Sequence, residues 1–182
     1  MRALPLAFAL TLVAQTPQWS QPAEVRYEDQ VCVSYRARID GPYLVVRATI
    51  GSGWHTFAMD NEQRAKEKLA GKQPLSIDKS TEIAPSGLEL EGPWYETVPK
   101  DFSHPELRWF SWGFDQQAVF VVKIARMRGA TAQITIRGQA CTDKICKNVE
   151  TMLAVPIPRQ FPANATGEIN LNSLVAVLPG SN

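Results

Sequence analysis

Two stretches near the start of the chain decide the fold: VCVSYRARI (residues 31–39) and LVVRATI (residues 44–50), with Gly41 and Pro42 between them. In each stretch every second residue is apolar. This alternation places the apolar side chains on one face of a pleated strand. The two stretches and their turn residues therefore predict a β-hairpin with one buried face.

The rest of the chain repeats this kind of pattern in shorter pieces, with proline or glycine in nearly every gap. One segment, residues 61–69, is instead rich in helix formers, with Asn61 as its N-cap and Gly71 as its stop. Short strands with little helix predict an all-β, two-sheet sandwich of about seven to nine strands. The further strand candidates are residues 54–59, 75–77, 88–90, 118–125, 132–137 and 152–157.

Length and charge limit the classes of function. A chain of 182 residues with 45% hydrophobic side chains supports one domain with one core. The 19 Lys and Arg residues nearly balance the 18 Asp and Glu residues, so no sustained positive field is available to attract nucleic acid. The composition therefore favours small molecules or proteins as partners.

The first twenty residues are typical of a secretory signal peptide. Arg2 precedes an apolar run over residues 3–14, and a polar stretch containing Gln and Pro follows over residues 15–22. No other run approaches the roughly 20 apolar residues of a membrane span. We expect a periplasmic or secreted protein without a span in its mature chain, a sandwich over residues 25–158, and a C-terminal tail over residues 159–182. Thiols in such compartments are usually oxidised.

The stretch QACTDKIC (residues 139–146) carries the cysteines Cys141 and Cys146 between two strand candidates. A disulfide closing so short a loop stabilises the fold by only about 2 kcal/mol in the chain-entropy model. An exposed bridge on a loop also exchanges readily with incoming thiolates. The sequence leaves two alternatives open, a redox-active pair and a structural clip.

Metal binding is the weaker interpretation of the same residues. Zinc sites usually need three or four Cys or His ligands, and the two histidines lie far from the cysteine pair in sequence. A copper-handling protein would use His55, Met59 or Met152 beside the cysteines. No spacing supports either metal, so neither a metal nor any other cofactor is predicted.

Cys32 has no evident partner, and its place in the alternation assigns it to the polar face of its strand. A lone cysteine in a strand is more often a small packed side chain than a nucleophile. We expect Cys32 to be structural.

Aromatic residues are dense between positions 94 and 114, among several prolines. About half of them are expected in the core of the sandwich. The others could form a loop that covers the cysteine pair and shields it from stray oxidants.

Several motifs resemble the N-terminal periplasmic domain of the thiol:disulfide interchange protein DsbD. They are GWH (residues 53–55), PSG (85–87), PW (93–94), PKDF (99–102) and, most specifically, the cysteine stretch at residues 139–146. The resemblance covers roughly residues 25–158. It implies an immunoglobulin-like β-sandwich that passes electrons to thioredoxin-fold periplasmic proteins.

The resemblance also implies roles for individual residues. Cys146 would be the thiol that attacks, and Cys141 the one that resolves the mixed disulfide. A cap loop with an aromatic side chain would cover the pair, which points to Phe102, with Trp109 behind it.

The sequence departs from the family pattern in two places. Some family members separate the cysteines by five residues rather than four, and many follow the second with Pro-Pro, where this chain has Lys147 and Asn148. The full-length family also continues into a membrane-embedded region and a thioredoxin-like domain. The sequence stops at Asn182, so we expect either a separate protein, such as a membrane electron donor, as the reductant or no reductant at all.

The sequence thus predicts an exported thiol–disulfide interchange module that works through Cys141 and Cys146. If it is an enzyme, it is a protein-disulfide reductase. The alternative is a non-catalytic immunoglobulin-like binding module with a structural disulfide.

Overall fold

The structure, a computed structural model, describes residues 18–161 and 169–178. Within these residues the chain forms two antiparallel β-sheets and one α-helix. The first 17 residues of the predicted signal peptide lie outside the described part, as do residues 162–168 and 179–182 of the predicted tail.

The first sheet has the strand order β1-β2-β3-β9-β6-β12. The predicted hairpin is its centre, where β2 and β3 pair from Val33 opposite Ile50 to Asp40 opposite Tyr43. The bounds of these strands are β1 Ala23–Tyr27, β2 Gln30–Asp40, β3 Tyr43–Ile50, β6 Leu88–Thr97, β9 Gln117–Met127 and β12 Leu174–Ala176.

The second sheet has the order β11-β10-β4-β8-β7, and β5 also pairs with β10. β4 and β5 share one edge of β10, because β5 pairs with residues 133–137 and β4 with the last two residues. The bounds are β4 His55–Phe57, β5 Glu82–Ser86, β7 Lys100–Asp101, β8 Trp112–Phe114, β10 Thr131–Cys141 and β11 Cys146–Pro156.

The two sheets enclose one core, and this confirms the predicted all-β sandwich. Tyr35, Phe57 and Phe120 are among its largest fully buried side chains. The described residues contain twelve strands, more than the seven to nine predicted, because several have only two or three residues and are too short for alternation to reveal. No strand forms at residues 75–77, where Leu75 is exposed.

The helix α1 (Asn61–Leu69) has the predicted bounds, but its ends differ from the expectation. Asp60 rather than Asn61 occupies the N-cap position, and it makes no capping hydrogen bond to the helix. Ala70 and Gly71 both have positive φ after the last turn, and this ends the helix. Asn61 is the first residue of the helix rather than its cap, and it is fully buried.

Segments at both ends of the described chain add to the first sheet. Trp19 lies between the guanidinium groups of Arg38 and Arg47, at 4.4 and 4.6 Å from its ring centre. The Ser20 amide donates to Ala37 O at 2.8 Å. In the tail, β12 pairs with β6 and Val177 is buried in the core.

Among the described residues, no helix is both long and apolar enough to cross a membrane.

Candidate functional site

The cysteine pair closes the end of a long hairpin. Cys141 is the last residue of β10 and Cys146 the first of β11, and the two are register partners. Their sulfurs are bonded at 2.06 Å, and their Cα atoms are 4.0 Å apart. The predicted loop is therefore shorter than expected, since both cysteines belong to strands and only residues 142–145 connect them.

The connecting turn is held by its own hydrogen bonds. The Thr142 amide donates to Ile145 O at 2.8 Å, while Thr142 Oγ1 accepts from the Lys144 and Ile145 amides at 3.2 and 3.1 Å. Asp143, Lys144 and Ile145 are exposed. The turn thus projects from the sheet as a compact, solvated tip.

The two cysteines differ sharply in exposure. Cys141 is 2% exposed, whereas Cys146 is exposed. Thiol–disulfide exchange requires an incoming thiolate to reach one sulfur of the bridge. Of the two bridged residues, Cys146 is thus the one that contacts solvent.

A buried carboxylate stands beside the disulfide. One carboxylate oxygen of Asp78 and the sulfurs of Cys141 and Cys146 all lie within 4.8 Å of one another. Asp78 is 5% exposed. Sequence reasoning missed this residue, because it lies 63 positions before Cys141 in a polar coil without any local motif.

Two side chains hold Asp78 in place. Trp109 Nε1–H donates to Asp78 Oδ2 at 2.7 Å. Asn61 bridges the backbone, since its Nδ2 donates to Asp78 O at 2.8 Å and its Oδ1 accepts from the Trp112 amide at 2.7 Å. The start of α1 and the aromatic segment thereby fix the carboxylate.

The strand that carries Cys141 makes room for the coil that follows Asp78. A Cβ on Gly138 would stand 3.0 Å from Ser80 O and 3.3 Å from the Thr81 Cα atom, and the φ of Gly138 is +150°. Thr81 Oγ1 donates to Phe57 O at 2.6 Å and ties the coil to the end of β4. Glycine at position 138 therefore permits the close crossing that delivers Asp78 to the disulfide.

His55 is the strand neighbour of Cys141, as its register partner in β4. Its ring packs against Phe57 and Phe102 at centroid distances of 5.3 and 5.2 Å. Burial lowers the pKa of His55, and Asp78 is the charge that most opposes this shift. His55 is thus a neutral, packed side chain near neutral pH, which agrees with a structural role.

The aromatic segment predicted as a cap folds as a hairpin-like lobe. β7 pairs with β8, the amide of Phe102 donates to Ser111 O, and that of His104 donates to Trp109 O. A short 3₁₀ turn at Pro105–Leu107 forms its tip. Trp109 reaches the site through Asp78, and Phe102 reaches it through His55. That either side chain shields the thiols stays a prediction.

A broad cleft of about 1340 Å³ opens beside the tip of the cysteine hairpin. It lies between the lobe, the turn before β4 and the start of the cysteine turn. Its lining includes His55, Phe102, Trp109, Thr142 and Asp143. The cleft is large enough to receive an extended segment of another protein.

Of the copper ligands considered from the sequence, His55 lies beside Cys141 in the sheet, but the two methionines lie elsewhere. Met59 lies in the core without exposure. Met152 is exposed on β11, six positions beyond Cys146, which corresponds to about 20 Å along a strand. The structure thus gives no support to the methionine-based site.

Cys32 is fully buried, although the alternation assigned it to the polar face. The reason is tertiary, because β11 packs against β1 and β2 and covers that end of the strand. Burial raises the pKa of the Cys32 thiol, which keeps it protonated. Cys32 is therefore a packed core residue.

No protein-family model matches the chain, and no curated protein matches it. Among solved structures, the chain is similar to the reduced DsbD N-terminal domain of Neisseria meningitidis, with a TM-score of 0.48 and 14% identity over 69% of this chain and 86% of that one. It is also similar to a chain in the complex between the DsbD N-terminal and PilB N-terminal domains of Neisseria meningitidis, with a TM-score of 0.44 and 13% identity over 78% of this chain and 93% of that one. The structural neighbours thus include DsbD N-terminal domains, the family whose motifs the sequence resembles.

Proposed function

We propose that this chain is a thiol–disulfide exchange module whose Cys141–Cys146 pair carries two electrons between proteins. The observation that carries the proposal is the asymmetry of the bridge, with an exposed Cys146 joined to a buried Cys141 beside the Asp78 carboxylate. A partner can reach the exposed Cys146, and the buried Cys141 can then attack the mixed disulfide.

The position of the bridge argues against a purely structural role. It joins the two strands of a hairpin that already pair along all eleven residues of β10. A bridge across so short a loop adds only about 2 kcal/mol in the chain-entropy model. Stability alone is thus a weak reason for a disulfide at this position.

The reaction is proposed to run in two displacements. The Cys146 thiolate of the reduced protein attacks one sulfur of a partner disulfide, a mixed disulfide forms, and the partner's second sulfur leaves as a thiolate. Cys141 then loses its proton and attacks Cys146 Sγ, which releases the partner's first sulfur. The partner gains two electrons and two protons, and the Cys141–Cys146 bond forms.

Asp78 is the group placed to assist the second displacement. Cys141 is buried, so water has little access to its proton, whereas Cys146 is exposed. The Asp78 carboxylate lies within 4.8 Å of both sulfurs and can accept the Cys141 proton as a general base. Trp109 and Asn61 act as positioning residues, because both form hydrogen bonds that fix Asp78.

The partners are proposed to be exported proteins with a disulfide or dithiol that the hairpin tip can reach. The motif resemblance points to thioredoxin-fold proteins as acceptors and to a membrane electron donor as the source of electrons. The cleft beside the tip offers a docking surface on which Phe102 and Trp109 would form the cap. An exported site of action follows from the signal peptide predicted for residues 1–20.

The reduction potential of the pair tests the proposal directly. The purified chain is equilibrated in glutathione or dithiothreitol buffers, its thiols are alkylated, and the fractions are read by mass. We expect a value between about −270 and −180 mV, the range of exchange-competent proteins. A value well below about −300 mV is that of a structural bridge and would overturn the proposal.

Single cysteine variants test the assigned roles. Cys146→Ala should abolish the reduction of a protein disulfide, while Cys141→Ala should accumulate a mixed disulfide through Cys146. Cys32→Ala is the matched control and should keep full exchange, because Cys32 is enclosed in the core. Unchanged turnover in Cys146→Ala would refute the assignment.

The cleft supports a second candidate, a binding module that holds a peptide segment and uses the disulfide only to stiffen one wall. In that case binding would survive both the reduction of the bridge and the Cys146→Ala substitution. The potential measurement distinguishes the two candidates, since the second requires a bridge that resists mild reductants.

A further inference from the structure

Asp78, Cys141 and Cys146 supply three donor atoms of the kinds that bind zinc. One carboxylate oxygen and the two sulfurs lie within 4.8 Å of one another. Sequence reasoning set zinc aside because it found only two ligands together. The structure adds the third from a distant segment.

The carboxylate is held in a way that suits a ligand. Trp109 donates to Asp78 Oδ2, and no described residue donates a hydrogen bond to Oδ1. The backbone at Asp78 is fixed by Asn61, so the side chain is presented by a buried framework rather than a loose loop. A metal ligand is commonly oriented in this way by hydrogen bonds from neighbouring groups.

We propose that the reduced protein binds one zinc ion through a carboxylate oxygen of Asp78, Cys141 Sγ and Cys146 Sγ. Zinc accepts thiolate and carboxylate ligands in tetrahedral geometry. Two thiolates and one carboxylate carry three negative charges against the two positive charges of the ion. Three protein ligands leave a fourth position, and the exposure of Cys146 opens it to water or to a donor from another molecule.

The site forms only when the disulfide is reduced. In the oxidised protein the sulfurs are bonded at 2.06 Å, and zinc is bound by thiolates rather than by disulfide sulfurs. Zinc–sulfur bonds of about 2.3 Å in a tetrahedral site require the two sulfurs to stand about 3.8 Å apart. Cleavage of the bond removes the short contact and allows that separation.

The electron and proton balance is simple. A phosphine or a dithiol supplies two electrons, and two protons are taken up as the sulfur–sulfur bond breaks to give two thiols. Zinc then displaces both protons and binds the two thiolates. The metal undergoes no redox change. Bound zinc also occupies the Cys146 sulfur, so the loaded site is closed to exchange until the ion leaves.

Zinc binding is independent of exchange activity, because a chain that never exchanges disulfides would still bind the ion once reduced. The reduced chain, kept in a phosphine, is titrated with Zn²⁺ in competition with a chromogenic chelator. We expect one ion per chain and an affinity at least about 100-fold higher than that of the disulfide form. Equal binding by the oxidised and reduced chains would overturn the proposal.

Asp78→Asn tests the third ligand, since asparagine can still accept the Trp109 hydrogen bond but brings no charge. We expect it to weaken zinc binding about tenfold or more, whereas Asp143→Asn, at an exposed aspartate in the turn, should leave the affinity unchanged. The site would be overturned if Asp78→Asn bound zinc as tightly as the parent chain. It would also be overturned if Asp143→Asn weakened zinc binding as much as Asp78→Asn does.

Co²⁺ provides a readout that does not depend on affinity. The reduced chain loaded with Co²⁺ should show intense visible bands of a tetrahedral ion and sulfur-to-cobalt charge-transfer bands, both of which Cys146→Ser should diminish. A spectrum typical of six-coordinate cobalt, or one ion bound by two chains, would contradict three ligands from one chain.

Discussion

Asp78 and Glu96 are both buried carboxylates, but their surroundings differ. Asp78 lies beside a disulfide that reaches the surface, with one oxygen bound by Trp109. Glu96 is fully enclosed, with Oε2 accepting from the Met59 amide at 2.9 Å and Oε1 lacking a partner among the described residues. The comparison separates a carboxylate that we propose takes part in exchange from one that makes the fold sensitive to pH.

Burial raises the pKa of Glu96 to about 8, and the negative charge of Asp60 adds to the effect. The Met59 hydrogen bond and the charge of Arg64 oppose it. Arg64 is engaged with Asp60, to which its Nε donates at 2.6 Å. These surroundings therefore favour the protonated, neutral form of Glu96 in the folded protein.

The largest expected effect is a loss of stability with rising pH. Below the ordinary value of 4.5 Glu96 is protonated in folded and unfolded chains alike, and between 4.5 and about 8 only the folded chain keeps the proton. The free energy of unfolding should therefore fall as pH rises through this window, by about 5 kcal/mol, and then level off.

Denaturant unfolding of the oxidised protein between about pH 5 and pH 9 measures this fall. Glu96→Gln imitates the neutral acid and should remove most of the dependence, while Asp78→Asn should keep it. If both variants showed the same pH profile as the parent, the contrast between the two carboxylates would be lost.

Next in size is the effect of Asp78→Asn on exchange. Loss of the general base should slow closure of the Cys141–Cys146 bond about 100-fold, equivalent to roughly 2.7 kcal/mol, while the attack by exposed Cys146 changes less. Stopped-flow reaction of the reduced chain with a chromogenic aromatic disulfide resolves the two thiol releases. Glu96→Gln is the matched control, and a slower second release in that variant as well would remove the special role of Asp78.

Asn61→Ala should weaken the framework that presents Asp78. The substitution removes the hydrogen bonds that the Asn61 side chain makes with Asp78 O and with the Trp112 amide. We expect the free energy of unfolding to fall by about 2 kcal/mol. Asn148→Ala, at an exposed position of β11, should change stability little. Equal effects of the two substitutions in denaturant unfolding would contradict a bridging role for Asn61.

The smallest expected effect belongs to Trp109→Phe, which removes the donor to Asp78 Oδ2 but keeps an aromatic ring beside His104. We expect a decrease in the rate of bond closure of about threefold to tenfold, or roughly 1 kcal/mol. A double-mutant cycle with Asp78→Asn measures the coupling, which should be clearly non-additive if Trp109 acts through the carboxylate. Strict additivity would assign Trp109 to packing alone.

Local pattern was sufficient for much of the scaffold. Alternation over residues 31–50 predicted the central hairpin, and helix formers predicted the bounds of α1, because both signals depend on neighbours a few residues apart. The cysteine pair was also predictable, since four intervening residues guarantee that Cys141 and Cys146 can meet. Residues 75–77 form no strand, and Leu75, which the alternation counted as a buried apolar residue, is exposed.

The burial of individual polar residues was not predictable in the same way. Cys32 was assigned to a polar face, but β11 covers it, and the position of that strand depends on how the two sheets close. Nothing in the sequence distinguishes Glu96 from the other charged residues of the chain. Only the packing of Met59 and Asp60 against it reveals an enclosed carboxylate.

The sequence by itself determined the sandwich class, the cysteine hairpin and the resemblance that motivates a redox role, because each rests on short-range spacing. Tertiary structure alone decided that Asp78 lies beside Cys141, because the two residues are 63 positions apart in the chain. The close crossing at Gly138 and the hydrogen bond from Asn61 to Asp78 O hold the carboxylate there. It also decided which cysteine meets solvent, because exposure depends on the packing of whole sheets and not on the neighbours of a residue.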